Sequence, residues 1–413
     1  MRGSFPDRLG ALVERPYRFL FAATLLTSLG DAIATIALAF AVLEFGSATD
    51  LGIVLALRQL ASVSVLVLGG VVSDRLPRNR VLVGASLVQG VAQAAMAASV
   101  LSGEASLLSF VLFGVMWGLG DGLVVPAETG LVPQTVSPAR LQQANALQGL
   151  SRTGVRLLGP AIGGLLVVAF SPGWALAADS VSFFACAALL SRIRIAPRAD
   201  SVRRPFVSEL VDGWREFRSR TWLWSTVLLF GIGNMFFMFW PVLGPAIAQE
   251  RLGGAGAWAA ILTAGGVGAV LGGLWALRHR PRRPLVACIL WSTLFLAQLA
   301  VLAAGAPTWL VAATSLVGGF GLSIHLALWF TIFQREVPER AQSRVSSYDA
   351  LGSFVLGPVG AAIAGPIAVA TGSATALWIA AAAILTCSLA MLLIPAVWRI
   401  RRPESVPLVS TAV

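Results

Sequence analysis

The chain is expected to be an all-α membrane protein, with twelve transmembrane helices arranged as two pseudo-symmetric halves of six. Three observations predict this fold class. Hydrophobic residues make up 57% of the 413 residues and charged ones 12%, with a mean hydropathy of +0.82, which excludes a soluble globule. Apolar runs long enough to cross a hydrocarbon core, ~20 residues each, recur along the whole chain. The second half also restates the first about 200 residues later. Gly30-Asp31 returns as Gly233-Asn234, and Gly159-Pro160 as Gly357-Pro358. Gln134, Pro138 and Arg140 return as Gln334, Pro338 and Arg340. Gly69-Gly70 followed by Arg75, Arg78 and Arg80 returns as Gly272-Gly273 followed by Arg278, Arg280, Arg282 and Arg283.

In order along the chain, spans are expected at 18–43, 51–73, 80–101, 106–133, 142–169 and 173–192, then at 222–247, 256–277, 285–304, 308–333, 342–370 and 374–398. Short, uncharged links such as Ser171-Pro172-Gly173 and Thr371-Gly372-Ser373 make neighbouring helices antiparallel. Residues 1–194 form an N-terminal six-helix bundle, 195–221 a cytoplasmic linker, and 222–413 a C-terminal six-helix bundle. The linker opens with Pro197, Arg203, Arg204 and Pro205. It then sets Phe206, Val207, Leu210, Val211, Trp214 and Phe217 on one helical face, mostly opposite Glu209, Asp212, Arg215, Glu216 and Arg218. That pattern suits an amphipathic helix lying on the membrane surface, or one packed against the inner mouth of the bundle.

The net charge of +11 comes with 30 basic residues, every one of them Arg. With both termini cytoplasmic, all but Arg58, Arg152, Arg156 and Arg251 fall in or beside cytoplasmic segments. This is the positive-inside asymmetry, so the charge reports topology and not a nucleic-acid partner. Arg2, Arg8, Arg15 and Arg18 precede an apolar run too long for a signal-peptide core, which is expected to stay as the first span. Cys186, Cys288 and Cys387 sit in separate spans without metal or disulfide spacing. There is no nucleophile elbow, His-Glu-x-x-His motif or phosphate-binding loop, so no enzyme, metal or cofactor is expected.

After the second span runs Gly70-Val71-Val72-Ser73-Asp74-Arg75-Leu76-Pro77-Arg78-Asn79-Arg80. It resembles the signature between spans two and three of the major facilitator superfamily, although Pro77 and Asn79 depart from the fuller pattern and Leu277 replaces the Asp in the second copy. Gly70 permits close helix approach; Asp74 sets a carboxylate at the membrane boundary where a helix N-terminus or an Arg stabilises it. The run Asp-Arg-Leu-Pro-Arg, with Gly30-Asp31, Arg58, Pro126-Ala127, Ala144-Asn145-Ala146 and Ser151-Arg152, is similar to a bacterial branch of macrolide and siderophore exporters. Gly159, Pro160, Gly163 and Gly164 resemble the core of the drug-antiporter signature, but Val155 and Ala146 stand where its upstream glycines belong. The same glycines also read as tight helix packing. The resemblance implies the major facilitator fold, a bacterial cytoplasmic membrane location, a functional monomer, and a conformational gate at Gly70, Asp74, Arg75 and Arg78.

Ionisable groups inside spans cost at least ~2.5–3.5 kcal/mol each at mid-bilayer, so they face a cavity or a partner. Asp31 lies halfway along span one, with Arg58 of span two in reach. Asp121 and Glu128 share one face of span four, and Arg152 and Arg156 one face of span five. Counted from Asp121 and Pro160 at mid-plane, Glu128 and Arg152 both fall about 10–12 Å toward the cytoplasm, which predicts a pair. Asp179 and Asp349 are read as nearer the ends of their spans. Asp31 is the first choice of proton carrier, Asp121 the second, with Glu128 in support, because a carboxyl in low dielectric binds a proton readily. The alternative is that Arg58 holds Asp31 as a fixed structural pair.

The second half has Asn234 for Asp31 and no counterpart of Asp121, which assigns proton chemistry to the first half. Asn234, Phe236, Phe237, Trp240, His325 and Trp329 are candidates for a cavity taking a bulky amphipathic substrate. Membrane aromatics also commonly face lipid, and a lone intramembrane His is commonly a hydrogen-bonded packing residue. Two like-folded halves with a path between them are the plan of many secondary transporters. The expected function is proton-coupled export of lipophilic small molecules such as antibiotics. A symporter or facilitator for a small nutrient or siderophore, and a non-transporting membrane scaffold or sensor, are the alternatives.

Overall fold

The computed structural model describes residues 10–194 and 206–401, except for the side chains of residues 66–75, 125, 206–210, 340 and 343. Twelve helical segments among them are long and apolar enough to cross a membrane, as the sequence leads one to expect. Spans one to six are Arg15–Phe45, Ala48–Arg75, Arg78–Leu101, Leu107–Thr135, Leu141–Ala169 and Pro172–Ser191. Spans eight, ten and twelve are Ala255–Ala276, Thr308–Glu336 and Ser373–Leu392. Span twelve is shorter than expected because Pro395 cannot continue the ladder, and Pro395–Arg399 forms a separate turn.

The other three spans are interrupted. Span seven is Thr221–Phe237 followed by Phe239–Ile247, and span eleven is Glu339–Phe354 followed by Gly357–Thr371. In both, the last residue before the break lies four residues before a proline, Pro241 and Pro358, whose ring displaces the carbonyl at that position. Span nine, Pro284–Ser292 and Phe295–Ala303, breaks without a proline. Pro160, the counterpart of Pro358, lies inside an unbroken span five.

Burial divides the molecule by depth. At the end away from the termini one apolar core joins both halves, running from Ile33–Val42 of span one through Phe239–Ala248 of span seven to Ala361 and Ala364 of span eleven. At the end carrying the termini there are two separate cores, one built of first-half residues around Tyr17 and Leu131, the other of second-half residues around Leu285 and Ile332. The halves are therefore closed together at the far end and parted at the terminal end.

Small residues make the joined end. Gly164 of span five admits Ala259 of span eight, and Gly365 of span eleven lies against the backbone of Thr49 in span two. A Cβ at either glycine would overlap the facing helix, so these contacts need glycine.

The linker helix is Phe206–Arg218. Residues 195–205 and the side chains of 206–210, which the expected apolar face includes, lie outside the described residues. The remainder packs on span eleven: Trp214 and Phe217 lie 5.5 and 5.9 Å from the Tyr348 ring, and Arg344 reaches Asp212 at 3.7 Å. Phe217 is buried, whereas Val211 and Trp214 are each 49% exposed. The described part of the helix is thus held against the bundle through Phe217 and Asp212.

Just before span one, Glu14 accepts hydrogen bonds from the Ser137 amide at 3.0 Å and hydroxyl at 2.7 Å, and meets Arg140 at 3.5 Å. The Ser137 amide, then its hydroxyl, hold the Glu14 carboxyl below its ordinary range. A lowered carboxylate stabilises the fold at neutral pH, and its contribution disappears as pH falls through the lowered value. Glu14→Gln is expected to flatten the acid-side decline of Tm measured in nanodiscs. A decline as steep as wild type would remove Glu14 from the account.

Candidate functional site

Spans one, three, four and six enclose a cavity of about 150 Å³ inside the first half. Asp31, Asp121 and Glu128 all line it, with Gln89 of span three and Cys186 of span six. Span four contributes two of these acids because positions seven apart fall on one helix face. Asp121 Oδ2 accepts from Ser62 Oγ at 2.6 Å. Asp31 Oδ1 is buried and has no hydrogen-bond partner among the described residues.

Arg58 comes from span two and stacks its guanidinium on Trp117 of span four, 3.3 Å from the ring centroid. Among the described residues no carboxylate lies within ion-pair distance of it, so its link to Asp31 is electrostatic and not a direct bridge. The fixed Asp31–Arg58 pair considered from the sequence is thus not the arrangement seen. A cation over an indole face is held by the ring quadrupole, which anchors Arg58 without consuming its charge.

Glu128 and Arg152 stand 3.3 Å apart, at the shared depth counted from their spans. Glu128 also lines a second crevice between spans four and five, with Asn145, Gln148 and Arg152, so it faces two spaces at once. Arg152 is 61% exposed, and such a pair contributes under about 1 kcal/mol to stability. Exchanging the charges is therefore expected to alter transport more than folding. Glu128→Arg and Arg152→Glu should each reduce transport, and the double exchange should recover most of it. A double variant as poor as the singles would show that the pair does not act as a unit. Arg156 is exposed, and its backbone carbonyl lies against Gly266 of span eight.

The span-five glycines act in packing. Gly159 and Gly163 seat span five on Ala32 and Ile33, directly beside Asp31, while Gly164 faces the other half; Pro160 lies between them in the continuous helix. Gly70, Asp74 and Arg75 of the loop signature fall among residues whose side chains are outside the description. The Arg78 guanidinium lies against Gly130 of span four.

In the second half a smaller cavity, about 70 Å³, occupies the equivalent place among spans seven, nine, ten and twelve. Asn234, Phe237 and His325 line it. Asn234 Nδ2 donates to the Ser353 carbonyl at 2.9 Å. His325 Nδ1 lies 3.0 Å from the Cys288 carbonyl, and its ring meets Phe230 edge-on. Phe236 leans on Phe239. Trp240 is enclosed by Trp258 and Phe295 in the shared core, and Trp329 donates its indole N–H to Asp349 Oδ2 at 3.1 Å. Neither tryptophan lines this cavity.

The sequence matches the transmembrane secretion effector family over residues 8–410. The chain belongs to that family, within the major facilitator superfamily. It is 28% identical to the enterobactin exporter EntS of Shigella boydii over 311 residues, 72% of this chain and 73% of that protein. The same figures hold for EntS of Escherichia coli O139:H28. Among solved structures, the nucleoside transporter NupG superposes with a TM-score of 0.70 at 13% identity, covering 94% of this chain and 100% of that one. A bacterial homologue of the iron transporter ferroportin in an inward-facing state gives 0.70 at 19%, covering 92% and 98%. The chain is thus a multi-pass inner-membrane transporter with the major facilitator fold.

Against that fold, one acidic residue emerges that the sequence reading left without a role. Asp179, the eighth residue of span six, is fully buried with Oδ1 against Gly30, the residue before Asp31. Its Oδ1 accepts from Ser182 at 3.2 Å, and its Oδ2 has no partner among the described residues. The glycine beside Asp31 was the signal available in the sequence, because a helix needs glycine mid-span where something must approach its axis closely.

Proposed function

We propose that the chain is a proton-coupled exporter that exchanges protons for lipophilic or amphipathic small molecules by alternating access. The observation that carries this reading is the first-half acid cluster. Asp31, Asp121 and Glu128 line one cavity, Asp179 lies against Gly30 beside Asp31, and Asp31 Oδ1 and Asp179 Oδ2 are buried without a hydrogen-bond partner among the described residues. Burial without a donor penalises a fixed anion, so such carboxyls suit proton uptake and release. Asp31, Asp121 and Glu128 are the proton-coupling residues of this reading, with Arg58 and Arg152 as their charge partners.

The positive-inside arginines support cytoplasmic termini, which makes the conformation inward-facing: joined outside, parted inside. Export is favoured by the similarity to siderophore exporters. One proton entering down a 100 mV potential supplies ~2.3 kcal/mol, enough for an outward substrate gradient of about 50-fold. The test is efflux of a panel of lipophilic fluorescent compounds from cells expressing the chain, with and without a protonophore. Efflux abolished by the protonophore is expected. Efflux that resists it would overturn proton exchange, and retention of every compound would favour uptake or a non-transporting role.

A further inference from the structure

We infer that Asp179 of span six is a second carboxyl of the proton site, sharing one proton with Asp31 across Gly30. This rests on the proton-coupled reading above and extends it to a helix that the loop and antiporter signatures do not touch.

Three observations carry the inference. The first is contact: a Cβ at position 30 would overlap both Asp179 Oδ1 and Ser182 Oγ, so Gly30 is what lets the Asp179 carboxyl reach the span-one backbone beside Asp31. The second is satisfaction: Asp31 Oδ1 and Asp179 Oδ2 are both buried without a partner among the described residues, and each is an acceptor awaiting an O–H. The third is an internal comparison. Gly233 stands where Gly30 does, but a Cβ there would meet nothing within 4 Å. Asn234 replaces Asp31, and Ala380, the eighth residue of its span as Asp179 is of span six, replaces the second acid. The half without the first carboxyl lacks the second as well.

The charged and titratable groups facing the pair are Arg58 from span two, Asp121 and Glu128 from span four and Cys186 on span six itself. Span three contributes the neutral side chains Ser86 and Gln89 to the adjoining cavity. In the transfer an O–H bond breaks at Asp31 and forms at Asp179 Oδ2. The pair carries a single negative charge before and after, which Arg58 offsets.

Two interacting carboxyls lose their protons in two macroscopic steps belonging to the pair. The experiment is infrared titration of the protonated-carboxyl band on the full chain in lipid nanodiscs, which needs no substrate. Wild type is expected to lose its buried protons in one more step than either Asp31→Asn or Asp179→Asn. An Asp179→Asn titration identical to wild type would overturn the inference. Gly30→Ala, which keeps both acids and displaces one, guards against misfolding of the Asn variant. It should alter the separation of the steps, and an unchanged separation would also overturn the pair. Failure of proton exchange itself is distinguishable, because it would appear as protonophore-resistant efflux by wild type whatever the titration shows.

Discussion

Asp31→Asn is expected to eliminate proton-driven export, lowering it at least about 100-fold, the scale on which losing a proton-transferring side chain is felt. The substitution keeps the side chain's shape and removes only its ability to exchange a proton. Folding should survive, because the second half already carries Asn at this place: Asn234 sits in span seven and donates to the Ser353 carbonyl. Removing an intramembrane ionisable group also relieves a desolvation cost. Reconstitution in liposomes separates the outcomes. Counterflow of a fluorescent substrate without a pH gradient should persist in Asp31→Asn, while uphill movement driven by an imposed gradient should vanish. Retained uphill transport would remove Asp31 from the coupling step and shift attention to Asp121, whose carboxylate already has a hydroxyl donor in Ser62.

How far the site could be read in advance depended on what a helix reports about depth. Glu128 and Arg152 were placed together by counting rise along two continuous spans, and the structure brings them to 3.3 Å. Such counting did not link Asp179 to Asp31, because spans differ in length: span one has 31 residues and span six only 20. A position near one helix's end can therefore lie level with another's middle. Arg58 exposes a different limit, since depth says nothing of azimuth. Its guanidinium turned to the face of Trp117, a partner visible only once spans two and four are packed. The twelve spans were legible throughout, because each needs only local composition. Which aromatics would line a cavity was not, since Trp240 and Phe237 are three residues apart in sequence, yet one is enclosed in the shared core and the other faces a cavity.

Gly365→Leu is expected to stop transport by preventing closure at the far end, and to do so without unfolding either half. Alternating access requires that the contact between spans two and eleven form in one state and part in the other. Here it is formed, with Gly365 against the Thr49 backbone and Gly52 against the Ala361 carbonyl. A leucine adds four carbons where even the first overlaps the facing helix. Overpacking of this kind costs about 1–3 kcal/mol. The cost falls on the closed state alone, so the equilibrium should move about 5- to 150-fold toward the state open at that end. The separate cores at the terminal end do not include this contact and should keep each half intact. Val242, fully buried in the shared core, gives the readout. Labelling of Val242→Cys by a membrane-impermeant maleimide should rise sharply in the Gly365→Leu background, the three native cysteines being buried. Gly233→Ala is the control, because its added methyl meets nothing. Equal labelling in both backgrounds would mean that the joined core is not the gate, whereas labelling that rises with Gly365→Leu alone ties closure to this one glycine contact.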